Sequence, residues 1–137
     1  MSTRSELIHV SAGILSRNGR VLACQRRPDQ THASKWEFPG GKRELGESIE
    51  ACLRRELREE LGIEADVGAE LWRTEHTYPG RATVALFFFR VDSFAGEIAN
   101  RVFAEVRWVA VDALGTLDFL AADRELIRRL QEGLIRL

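Results

Sequence analysis

The chain has 137 residues, 45% of them apolar and 30% charged, which suits one globular domain spanning residues 1–137 and excludes a disordered, collagenous or coiled-coil chain. Lysine plus arginine number 20 and aspartate plus glutamate 21, so the formal charge of -1 gives no basis for coating a polyanion, and no nucleic-acid polymer is expected as a partner. The polar start, Met1 to Glu6, shows no signal peptide, and the longest apolar runs, such as Ala82 to Phe89, hold about eight residues against the roughly 20 that span a bilayer, so no membrane partner is expected either.

Two β-favouring runs, Leu7 to Leu15 and Arg20 to Arg26, flank Asn18-Gly19, and the spacing predicts an opening antiparallel hairpin. Pro28 to Lys42 contains Pro28, Asp29, Pro39, Gly40 and Gly41 and reads as one long loop. Such loops usually carry function. Ser48 is placed to cap a helix that runs to about Leu61 and stops at Gly62, with Ile49, Leu53, Leu57 and Leu61 as its core stripe and Cys52 beside it. Strands are expected at about Ala65 to Glu75, Ala82 to Val91 and Val106 to Val111. A last helix, about Asp123 to Leu134, presents Leu126, Ile127, Leu130 and Leu134 on one face, with Asp123 as its N-cap. Irregular interleaving of helices and strands predicts an α/β sandwich with a mixed sheet between helices. Cys24 and Cys52 lack partners at metal-ligand spacing and read as buried free thiols of a reducing cytoplasm.

On the first helix Glu56, Glu59 and Glu60 stand at i, i+3 and i+4, so three carboxylates crowd one face and repel. Either a cation compensates, for which hard Mg2+ with its preference for oxygen ligands is suited, or the face is simply solvated and softened by Arg54, Arg55 and Arg58. Arg55, four residues before Glu59, can orient that carboxylate on either reading.

The wider pattern is Gly41, five residues, Glu47, seven residues, then Arg55-Glu56-Leu57-Arg58-Glu59-Glu60-Leu61-Gly62-Ile63. It resembles the signature of the Nudix hydrolases at every fixed position, a coincidence with a chance on the order of 10^-7 in a chain of this composition. The box covers residues 41–63, and the preceding Lys35-Trp36-Glu37-Phe38-Pro39-Gly40-Gly41-Lys42 looks like the MutT branch, which cleans oxidised or otherwise non-canonical nucleotides. The resemblance implies an α/β/α sandwich and Mg2+-dependent hydrolysis, with Mn2+ as a substitute, of nucleoside triphosphates of the 8-oxo-dGTP or CTP type to monophosphate and pyrophosphate. It implies a small-molecule nucleotide as partner, a cytoplasmic monomer or homodimer, and a role in nucleotide-pool sanitisation.

Carried over residue by residue, Glu59 and Glu60, adjacent at the helix end and both expected to face the loop, are the first metal ligands. Glu56 is the next, as ligand or as general base, and the Gly40 carbonyl faces the cation. Gly41 lets the backbone turn sharply into the helix. Glu47 either favours the helix N-terminus or binds a second metal. Arg26 and Lys42 are placed for the phosphates, Phe38 for the base, and Asp123 for reading the base where MutT-like enzymes have Asn or Asp. For Arg26, Phe38 and Asp123 the alternatives are a surface arginine, a core phenylalanine and a helix cap. Glu105 is a distal carboxylate candidate or an exposed strand residue. His32, His76 and Tyr78 are pocket-mouth candidates or polar surface, and Trp36, Trp72 and Trp108 core or pocket wall. Pro79, sixteen residues beyond the box, keeps an ADP-ribose hydrolase as a rival, against which the Phe38-Pro39-Gly40-Gly41 lead-in argues. A catalytically silent nucleotide sensor is the rival of a different class.

Overall fold

The alternating run of β6 (Thr83–Ala95) explains the architecture, because it is apolar on both faces and both are covered. Ala85, Phe87, Phe89 and Val91 pack with Leu53, Leu57 and Leu61 of α1 (Ile49–Leu61). Leu86 and Phe88 pack on the other side with Leu126, Ile127 and Leu130 of α2 (Arg124–Gln131). The computed structural model describes residues 7–137, so the reading of Met1 to Glu6 lies outside the described residues. Among the described residues no helix is long and apolar enough to cross a membrane.

β1 (Ile8–Arg17) runs parallel to β6 from Ile8 opposite Val84 to Leu15 opposite Val91, and β5 (Glu64–Thr77) lies antiparallel on the other edge of β6 with three register shifts. The sheet is mixed and stands between helices, as expected. Asn18 and Gly19 take φ of 53° and 75° and close the opening hairpin, yet β1 and β2 (Arg20–Gln25) pair only at its tip, through Ser16 with Val21 and Arg17 with Arg20. Beyond the tip β2 pairs instead with β7 (Glu105–Ala110), and the two strands diverge into different layers.

The Pro28 to Lys42 segment is not one loop. It contains β3 (Trp36–Glu37), paired with Cys24 and Gln25, and β4 (Gly40–Lys42), paired with Val10, Ser11 and Ala12. Breakers did not prevent pairing, because glycine is what lets β4 press against β1: a Cβ on Gly40 would stand 1.9 Å from the Ser11 carbonyl oxygen.

The helix around the box is capped as read, with Ser48 Oγ accepting the Ala51 N–H at 3.1 Å and Gly62 at φ 69° ending it. The last helix is shorter than its periodicity suggested. It ends at Gln131 and leaves Leu134 exposed. Asp123 does not cap it. A 3-10 turn over Ala121–Asp123 already gives Asp123 helical dihedrals (φ -92°, ψ -14°), whereas a capping side chain needs an extended backbone, and no cap hydrogen bond forms.

Candidate active site

β4 lies wedged between β1 and α1, and this sandwich sets the geometry of the acidic face. A Cβ on Gly41 would meet the Glu56 carboxyl carbon at 2.4 Å. Gly41 is thus needed for close approach of Glu56 rather than for the sharp turn expected of it. The turn is seated by a buried pair: Ser11 Oγ donates to Cys52 Sγ at 3.3 Å, and Cys52 donates to the Gly41 carbonyl at 3.4 Å. Both thiols are buried and free, in agreement with the sequence.

The three glutamates do not behave alike. Glu60 accepts the Gly40 N–H at 3.0 Å and is buried; burial first, then the charges of Glu56 and Glu37, push its carboxyl up to about 9. Glu56 is also raised, chiefly by burial, although Arg55 holds it at 2.9 Å. Glu59 stays on the exposed flank and reaches Arg55 at 3.2 Å, so the pair Glu59 and Glu60 does not face the loop together. Successive residues point about 100° apart around a helix, so adjacency cannot aim both at one point.

Arg55 organises this face. Its guanidinium also binds Glu47 at 2.6 and 3.0 Å and the Lys42 carbonyl at 3.0 Å. Those bonds, with the Glu44 N–H, hold the Glu47 carboxyl down at about 2. Glu47 is therefore occupied by Arg55, a third role beside the two expected of it.

A cleft of about 220 Å3 opens beside Gly40, Gly41, Lys42 and Glu60 and runs to Asp123, Glu37, Arg26 and Tyr78, between walls that include Phe38, Leu86 and Leu120. It gathers the four residues read as substrate-facing. Arg26 enters it tied to Glu37 at 3.2 Å and to the Thr31 carbonyl at 2.7 Å. Phe38 is both core and wall, packed on Phe119 and edge-on to Phe88. Asp123 is 3% exposed with Oδ2 unpartnered, and burial, then the charge of Glu37, raise its carboxyl well above the usual range, which favours the protonated form that can donate as well as accept.

Glu37 is a cleft residue that sequence reasoning passed over, and Tyr78, read as a pocket-mouth candidate or polar surface, lines the cleft. The one available signal for Glu37 was its place between the apolar Trp36 and Phe38. Glu105 stands outside the cleft, paired with Arg107 at 2.7 Å on β7. A wider groove of about 520 Å3 between the Val111–Thr116 turn and α2 has only Asp118 as a carboxylate and assembles no comparable chemistry.

Among the described residues no three Asp, Glu, His or Cys side chains converge on one point as a ready-made cage. The donors nonetheless fit a hard divalent cation. They are all oxygens, Glu60 and Glu56 are crowded, part-buried carboxyls whose ionisation a cation would favour, and Mg2+ usually takes only one or two carboxylates alongside substrate phosphates.

The sequence matches the NUDIX domain family over residues 7–130. It is 40% identical over 127 residues to an 8-oxo-dGTP diphosphatase of Haemophilus influenzae, covering 91% of this chain and 92% of the relative. It is 39% identical over 103 residues to a CTP pyrophosphohydrolase of Escherichia coli, covering 75% and 76%. In structure it resembles the E. coli ORF135 protein, with a TM-score of 0.83, 34% identity and coverage of 93% and 90%. A MutT protein from Methanosarcina mazei, at 24% identity, shares the fold with a TM-score of 0.86 over 96% and 98% of the two chains. Nudix hydrolases generally use a divalent metal, the need that the buried Glu56 and Glu60 create. With its box intact and the match running through nearly all of its length, the chain belongs to the Nudix hydrolase family.

Proposed function

We propose that the protein hydrolyses nucleoside triphosphates, oxidised or otherwise non-canonical ones such as 8-oxo-dGTP or those of the CTP type, to monophosphate and pyrophosphate with Mg2+. The observation that carries this is a single cleft lined at once by the carboxylate of Glu60 and by the buried carboxyl of Asp123. Glu60, Glu56 and the Gly40 carbonyl would hold the cation, while Glu59 on the exposed flank pairs with Arg55. When bound, it supplies charge to the phosphate oxygens and lowers the pKa of the attacking water.

The chain's own groups do the rest. A glutamate of the helix face takes the proton from water. Lys42, exposed at the cleft and without an ion-pair partner among the described residues, stabilises charge developing on the phosphates, and Arg26 aids from its seat on Glu37. Phe38 lies against the base. Asp123, in the protonated form that its burial favours, both donates to and accepts from the base edge, which an ionised carboxylate cannot do. Free buried thiols suit a reducing, cytoplasmic setting.

The test is product analysis with Mg2+ and a panel of 8-oxo-dGTP, dGTP, dCTP, 5-methyl-dCTP and ADP-ribose. Pyrophosphate with a nucleoside monophosphate is expected. Phosphate release, turnover of ADP-ribose alone, or silence across the panel overturns the reading, and silence favours a sensor.

A further inference from the structure

Tyr78 stands in the turn between β5 and β6, half-buried, on the wall of the cleft. Its hydroxyl oxygen accepts the Ala122 N–H at 3.3 Å, one residue before Asp123. The segment that delivers Asp123 is otherwise held at its far end, where the Leu120 N–H donates to the Trp36 carbonyl at 2.9 Å. The turn is thus slung between β3 and the Tyr78 ring.

The ring is itself held. The His32 and His76 rings each pack against it with centroids 4.4 Å away, His32 tilted and His76 edge-on. His32 reaches that position with φ at 56°, and Ser34 follows at 63°, left-handed values that non-glycine residues adopt sparingly. Arg26 fastens the same loop through the Thr31 carbonyl. Two segments distant in sequence, the His32 loop and the Leu120–Asp123 turn, therefore meet on one phenol ring beside a buried carboxyl oxygen, Asp123 Oδ2, that has no partner among the described residues.

We propose that Tyr78 is a specificity-determining positioning residue, which fixes the Leu120–Asp123 turn so that the Asp123 carboxyl meets the base edge, with His32 bracing the ring. This rests on the reading of the cleft as a nucleotide site. Hydrogen-bonded selection depends on direction, so loosening the turn changes which base is favoured more than it changes the chemistry at the helix face. Tyr78→Phe keeps the ring and its stacking and deletes only the acceptor.

The experiment compares kcat/KM for 8-oxo-dGTP, dGTP, dCTP and 5-methyl-dCTP in the wild type, Tyr78→Phe, His32→Ala and Asp123→Asn. Tyr78→Phe is expected to compress the ratio between best and worst substrate by about fivefold, what one hydrogen bond is typically worth, with the change in KM exceeding that in kcat. His32→Ala should shift the ratio in the same direction by less, and it decides the matter if Tyr78→Phe does not fold. An equal fall for all four nucleotides marks a merely structural role and overturns the proposal. So do unchanged ratios among the four nucleotides in Tyr78→Phe and His32→Ala while Asp123→Asn alters them. An unaltered ranking in Asp123→Asn removes the base-reading role itself, and the positioning role with it.

Discussion

Glu60 holds a neutral carboxyl at neutral pH only because it is buried beside Glu56 and Glu37, and it is the group a cation would most relieve. Glu60→Gln preserves the acceptor for the Gly40 N–H and removes the group's ability to ionise toward a cation. Hydrolysis should fall by orders of magnitude, since electrostatic terms of about 3 to 4 kcal/mol are typical of such sites, while circular dichroism and melting remain those of a folded protein. Near-wild-type turnover in the purified variant removes Glu60 from the chemistry. Asp123 gives a test in pH. Its folded pKa stands above the unfolded value, so its contribution to stability is fully present below about pH 4 and is lost as pH rises through the folded value. Asp123→Asn has no such loss. The stability of the variant relative to wild type should therefore climb as pH rises above about 4 in denaturant titrations, and a flat difference means the carboxyl is not buried as described.

At the level of elements, β4 and α1 act as a pair pressed together with the Glu56 carboxyl lying directly against Gly41. Gly41→Ala places a methyl group against the Glu56 carboxyl and should lower kcat severely, with overpacking taking about 1 to 3 kcal/mol from stability. Ser48→Ala, which removes the cap of the same helix at its far end from Glu60, should cost about 1 kcal/mol in stability and leave kcat nearly untouched. If the two variants lose activity in proportion to stability alone, the close approach of β4 to Glu56 has no catalytic consequence. The boundaries of α1 were legible because capping and periodicity are interactions within one stretch of chain. The hairpin was legible in its turn but not in its partner strands, since Asn18-Gly19 fixes a reversal and β6 and β7 decide what each strand pairs with. Leu134 shows the reverse error, an apolar residue in phase with the α2 face beyond the point where the helix stops.

Across the whole molecule, the cation and the fold should be coupled, because the native state alone brings Glu56, Glu60 and Gly40 together. A ligand that binds only the native state stabilises it by about 2.7 kcal/mol at one hundred times its Kd. Millimolar Mg2+ should raise the melting temperature relative to EDTA, by less in Glu60→Gln, and coincident melting curves in the wild type contradict the coupling. By itself the sequence determined the box, the helix that carries it, the free thiols and a mixed sheet between helices, all of them consequences of spacing along the chain. It also named Arg26, Phe38, Lys42 and Asp123, which one cleft now collects. Only the tertiary structure decided that Glu60 and not Glu59 meets Gly40, that Arg55 occupies Glu47, that Glu105 stands apart, and that Asp123 is an unpartnered buried acid rather than a cap. Glu37 and Tyr78 joined the site in the same way. Desolvation and charge at each of these groups come from segments tens of residues away, and no local pattern encodes which of them fold over a given carboxyl.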